Sequence, residues 1–98
     1  MTKDPLKYYE QEEEKFQKQI EAILWKSGFV ASKPVGILGR SEGYKVTIYT
    51  MLAFISYETD RGNEVRIQML TKYTDALCRH GLEASICHDD STEPYVVV

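Results

Sequence analysis

Residues 43–59, GYKVTIYTMLAFISYET, form the longest apolar and β-prone run in the chain, and its reading decides the fold. In an extended segment successive side chains point to opposite faces. Tyr44, Val46, Ile48, Thr50, Leu52 and Phe54 then share one face, while Lys45, Thr47, Tyr49, Met51, Ala53, Ile55 and Tyr57 share the other. The second face begins polar and ends as apolar as the first, so the later half of one continuous strand has no solvent side. A helix from Ile48 would also align Ile48, Met51, Leu52 and Ile55, so periodicity alone does not choose. β-branched and aromatic residues dominate and no Gly or Pro breaks the run after Gly43, which favours a long central strand. A bilayer span needs roughly 20 apolar residues; this run is shorter and carries Lys, Thr and Ser, so no membrane association is expected.

Upstream, Asp4-Pro5 opens a helix, with Asp as N-cap and Pro at the first helical position. Ser27-Gly28 closes it, giving a span of 5–27. Phe16, Ile20, Ile23 and Leu24 make its apolar stripe, extended weakly by Leu6 and Tyr9 and interrupted by Glu13. The first half, with its acidic run, is therefore solvated and projects from the core. Trp25 lies off the stripe, which makes it either the rim of the core or an interface anchor. Between Phe29 and Leu38 the sequence reads as a short edge strand, because Pro34 has no N–H to give a ladder. Gly39 to Gly43 then forms a hairpin loop into the central run.

Downstream, Asp60-Arg61-Gly62-Asn63 is a break. A second helix follows over Glu64–His80, with Asn63 as N-cap, Gly81 as C-cap, Ile67, Leu70, Thr74 and Leu77 buried, and Met69, Tyr73 and Cys78 flanking. The alternative makes Glu64–Leu70 a strand and shortens the helix to Thr71–His80. Leu82, Ala84, Ile86 and His88 alternate as the inner face of a further strand. His88 to Pro94 has turn composition, and Tyr95–Val98 pairs back on Leu82–Cys87. The whole is an α+β fold: one domain over residues 1–98, two-layered, a small antiparallel sheet of four to five strands packed with two helices in the order α-β-β-(β)-α-β-β.

Composition bounds function. A chain of 98 residues with 43% hydrophobic content is a globular domain with a modest core. A formal net charge of −3 argues against nucleic-acid binding through bulk electrostatics. Lys26, Lys33, Arg40 and Lys45 leave a locally basic segment as the weaker alternative. The first residues lack an apolar leader core, so a cytoplasmic protein with two free thiols is expected.

Catalytic and metal chemistry have little to build on. Cys78, His80, Cys87 and His88 are the most metal-like cluster, but a strand from Leu82 carries Cys87 about 16 Å from the helix end at roughly 3.3 Å per residue. Asp89, Asp90 and Glu93 lack an EF-hand spacing. The glycines at 36, 39 and 43 lack the Gly-Lys-Ser/Thr ending of a phosphate loop, and hydrolase and dinucleotide signatures are absent. No catalytic residue, metal or cofactor is expected.

What remains is aromatic and apolar excess, including seven tyrosines. If both helices cover one face of the sheet, Tyr49, Met51, Ile55 and Tyr57 lie bare on the other, and Trp25 adds an anchor. The expected function is a non-enzymatic protein-binding module acting stoichiometrically as inhibitor, adaptor or regulatory subunit, and self-associating, most simply as a homodimer. The alternative is a small-ligand sensor or small enzyme with its pocket between the second helix and the sheet.

Overall fold

The run at 43–59 is a hairpin, not a single strand. In the computed structural model, which describes residues 5–37, 39–88 and 93–98 with residues 5–9 as backbone, β3 (Gly43–Tyr49) turns back on β4 (Leu52–Glu58). The register runs from Gly43↔Glu58 to Tyr49↔Leu52, leaving Thr50 and Met51 as a two-residue loop with φ of 49° and 65°. Positive φ at both central residues matches the twist of the flanking strands and is the type I′ requirement. Cross-strand partners point to the same side, and here each even-numbered residue meets an odd-numbered one: Tyr44 with Tyr57, Val46 with Ile55, Ile48 with Ala53. The turn thus exchanges the two faces. Ala53, Ile55 and Tyr57 join Tyr44 and Val46 in the core, while Leu52 and Phe54 leave it.

The chain before the hairpin follows the expected outline with different joints. α1 (Pro5–Lys26) buries Ile20, Ile23 and Leu24, with Phe16 packed at their edge. Glu10, Gln11, Glu14 and Lys15 are exposed and Glu12 and Glu13 half-buried; the expected Asp4 cap lies outside the described residues. Gly28, at φ +90°, ends the helix, and the Phe29 N–H returns to the Leu24 carbonyl at 3.1 Å. The expected strand over Phe29–Leu38 splits in two. Its first part touches β3 by a parallel bridge, Ala31 beside Tyr44. Its second part, β1 (Pro34–Val35), forms its own hairpin with β2 (Gly39–Arg40). The turn therefore falls before Gly39, with Leu38 outside the described residues. Gly43 serves close packing and not a loop. A Cβ there would stand 2.5–2.6 Å from the backbone of Val30, Ala31 and Ser32, so only Gly lets this segment lie against β3.

α2 (Asn63–Arg79) follows the longer of the two predicted alternatives, shifted by one residue, and Glu64–Leu70 belong to it and not to a strand. Asn63 is its first residue; Gly62, at φ +98°, stands at the cap position without a side-chain bond. Its buried face is Leu70, Tyr73, Ala76 and Leu77, rotated from the predicted stripe so that Ile67 and Cys78 are exposed and Thr74 is half-buried. β5 (Ser85–Cys87) and β6 (Tyr95–Val97) complete an antiparallel sheet of order β3-β4-β6-β5. Four strands lie between the helices, and the class is α+β with two small antiparallel sheets. Both helices pack on one face of the larger sheet: Ile20, Leu24, Leu70, Tyr73 and Leu77 form one cluster with Tyr44, Val46, Ile55, Tyr57 and Val96. Each full burial of a Leu, Ile or Val in this layer contributes about 1.5–3 kcal/mol.

Candidate functional site

With both helices on one side, no helix among the described residues covers the other face of the β3-β4-β6-β5 sheet. Alternation places Tyr49 from β3, Leu52 and Phe54 from β4, and Tyr95 and Val97 from β6 on it. Phe54 sits opposite Thr47 on one side and Val97 on the other, and Val97 opposite Ser85, so one row crosses all four strands. The Phe54 and Tyr95 rings lie 5.9 Å apart and tilted, so they cover part of each other while the tip stays open. At that tip Tyr49 is 70% exposed, Leu52 46% and Met51 41%. Two strands of seven residues and two of three, at about 3.3 Å per residue and about 4.8 Å apart, project roughly 320 Å². That is about two-fifths of the roughly 800 Å² a stable partner interface takes from each side.

The structure separates the residues expected to form the interface. Tyr49 and Met51 are exposed at the hairpin tip, but Ile55 is fully buried and Tyr57 nearly so, because the turn at Thr50-Met51 sends them into the core. Trp25 is exposed on the helical layer, on the opposite side of the sheet from Tyr49. Leu52, Phe54, Tyr95 and Val97 take the places of Ile55 and Tyr57. The signal for Tyr95 and Val97 is present in the alternation of the last strand; that for Leu52 and Phe54 requires knowing where the central run turns.

A second feature is polar. Glu42, in the bend before β3, accepts hydrogen bonds from Tyr57 Oη and Thr59 Oγ1, both at 2.6 Å, from Arg61 Nε at 2.9 Å, and from Arg61 Nη2. A carboxylate has about four acceptor sites, and all are used. These donors, Arg61 first and then Thr59 and Tyr57, hold the Glu42 carboxyl down at about 2 against an ordinary 4.5. Burial, followed by the bond to Glu42, raises the Tyr57 hydroxyl. Arg66 ties the same region from the helix side. It donates to the Tyr57 and Thr59 carbonyls at 3.3 and 2.6 Å and to Asn63 Oδ1 at 2.8 Å, and pairs with Glu93 at 3.5 Å. The end of β4 is thus clipped to the bend before β3, to α2 and to the approach to β6. Sequence reasoning has no local pattern for either cluster, since their members come from separate segments.

The remaining candidates disperse. Cys78 is exposed and Cys87 half-buried, both as free thiols; His80 Nδ1 lies 2.9 Å from the Ala76 carbonyl. Among the described residues no group of three metal-ligating side chains comes together, and Asp89 and Asp90 lie outside them. Arg40 folds back on Ser32, with Nε 3.1 Å from Oγ and Nη2 3.2 Å from the carbonyl, and so braces the small hairpin. Among the described residues no helix is long and apolar enough to cross a membrane. No family model matches the chain, and no curated protein or solved structure matches it.

Proposed function

We propose that this is a non-enzymatic protein-binding module, acting stoichiometrically, whose bare sheet face closes on a second copy. The observation that supports this is the row of Tyr49, Leu52, Phe54, Tyr95 and Val97 on the uncovered side of the sheet. Contiguous apolar surface of this kind marks interaction sites in soluble proteins, and Tyr suits them because it joins contact area to a polar end. The hairpin tip points the same way. Thr50 and Met51 hold positive φ without being Gly or Asn, a strained conformation that carries Tyr49, Met51 and Leu52 outward together.

The modest projected area implies reversible association that rises with concentration, not a permanent dimer. Sedimentation velocity over a wide concentration range tests it. The expected result is a monomer–dimer equilibrium that Phe54→Lys and Leu52→Lys both weaken without loss of the far-ultraviolet circular-dichroism spectrum. A strictly monomeric wild-type protein at the highest concentration, or a dimer indifferent to both substitutions, overturns the proposal.

A further inference from the structure

Tyr73 is the least accommodated polar side chain in the core. It is 0% exposed, and its hydroxyl is the one buried side-chain polar atom without a hydrogen-bond partner among the described residues. Three aromatic rings surround it: Phe29 edge-on at 4.7 Å, Tyr44 at 6.0 Å and Tyr57 at 6.2 Å. Buried hydroxyls are bonded almost without exception, so an orphan calls for an explanation. Tyr73 also belongs to the wall of a cleft of about 280 Å³, between the end of α1, the bend before β3 and α2. Its other walls are Phe29, Val30, Tyr57, Met69 and Glu42, with Gly28 leaving the mouth open. The volume lies just under the range of about 300–1,000 Å³ typical of ligand clefts, which suits a molecule of one ring.

The walls also select its charge. Three aromatic rings, a thioether and a carboxylate would suit an organic cation, but Glu42 has no acceptor site left and its charge is already paired with Arg61. The free hydrogen-bonding capacity is the Tyr73 hydroxyl. Desolvation raises that hydroxyl above its ordinary range, so it stays neutral, able both to donate and to accept, behind the cleft wall to which Tyr73 belongs. We propose that this cleft binds a small, neutral, one-ring aromatic molecule whose hydroxyl or carbonyl group bonds Tyr73 Oη. Tyr73 is covered in the free protein, so binding requires the wall around it to open; half-buried Phe29 lies edge-on against its ring in that wall. The cleft lies on the helical side of the sheet and is independent of the self-association proposed above.

An NMR titration of the full chain, labelled with ¹⁵N, tests this with phenol as the probe and toluene as its match in size without the hydroxyl. Phenol should shift the amides of residues 28–30 and 69–73 and bind about tenfold tighter than toluene, the worth of one well-placed hydrogen bond. Tyr73→Phe should remove that tenfold preference and leave toluene unchanged. Val30→Trp, at an exposed position on the rim, should exclude both. Absence of phenol shifts at these amides, equal affinity for phenol and toluene, an undiminished preference in Tyr73→Phe, or unimpaired binding in Val30→Trp each overturns the proposal.

Discussion

Removing the Tyr73 hydroxyl should stabilise the protein. Tyr73→Phe keeps the ring and its packing against Phe29, Tyr44 and Tyr57, and deletes one buried oxygen that has no partner. An unsatisfied buried hydroxyl costs about 1–3 kcal/mol, so the variant should gain about 1–2 kcal/mol. For a domain of this size, each kcal/mol raises Tm by about 4–8 °C. With a urea slope of about 1–3 kcal/mol/M, the midpoint should rise by about 0.3–2 M at unchanged slope. Far-ultraviolet circular dichroism is the suitable readout, because Trp25 is 70% exposed and its fluorescence would report folding poorly. Tyr57→Phe is the control: the same atom is deleted, but there the hydroxyl donates to Glu42 at 2.6 Å, so stability should fall. A Tyr73→Phe midpoint equal to or below that of wild type would refute the reasoning, because it would mean that the hydroxyl is satisfied in solution.

Glu42 has a folded pKa of about 2 against an ordinary 4.5, so its contribution to stability is fully present above about 4.5 and is lost as pH falls toward 2. Stability measured over that window should fall less steeply in Glu42→Gln than in wild type; identical acid limbs would contradict the assignment. Replacing Thr50-Met51 by Asn-Gly should stabilise by about 1–2 kcal/mol, because both residues now hold positive φ, and a lower urea midpoint would show that the hairpin turns elsewhere. Arg66→Lys should cost about 1–3 kcal/mol by losing the fork that reaches Tyr57, Thr59 and Asn63. Glu93→Ala, at an exposed partner, should change thermal stability by less than about 1 kcal/mol; a larger loss there would place the clip's strength in the ion pair.

The helices are legible in the sequence because their evidence is local. Ile20, Ile23 and Leu24 repeat at helical spacing, Gly28 and Gly81 punctuate, and both glycines take the positive φ that a helix exit needs. The last two strands are legible for the same reason, and Ile86 and Val96 pair across them. The rotation of the buried face of α2 toward Tyr73 and Ala76 is not. Met, Ile, Tyr and Cys surround that helix, and which of them faces inward depends on where α1 and the sheet lie. Nor are the bonds of Glu42, which reach 15 to 19 positions along the chain, or those of Arg66, which reach 7 and 9 positions back to the Thr59 and Tyr57 carbonyls and forward to Glu93.

The hairpin at Thr50-Met51 marks the boundary most sharply. An α+β domain with an extended apolar run at its centre follows from the residues alone, because β-branched and aromatic composition and helix punctuation act over a few positions. No Asn-Gly or Asp-Gly announces a turn, so the run reads as one strand and Ile55 and Tyr57 read as surface. The break itself comes from long-range packing. Folding the run back lets Ala53, Ile55 and Tyr57 meet the same helices as Tyr44 and Val46, and that burial outweighs the strain of two residues at positive φ. One reversal of direction therefore separates the residues of the core from those on the bare face of the sheet.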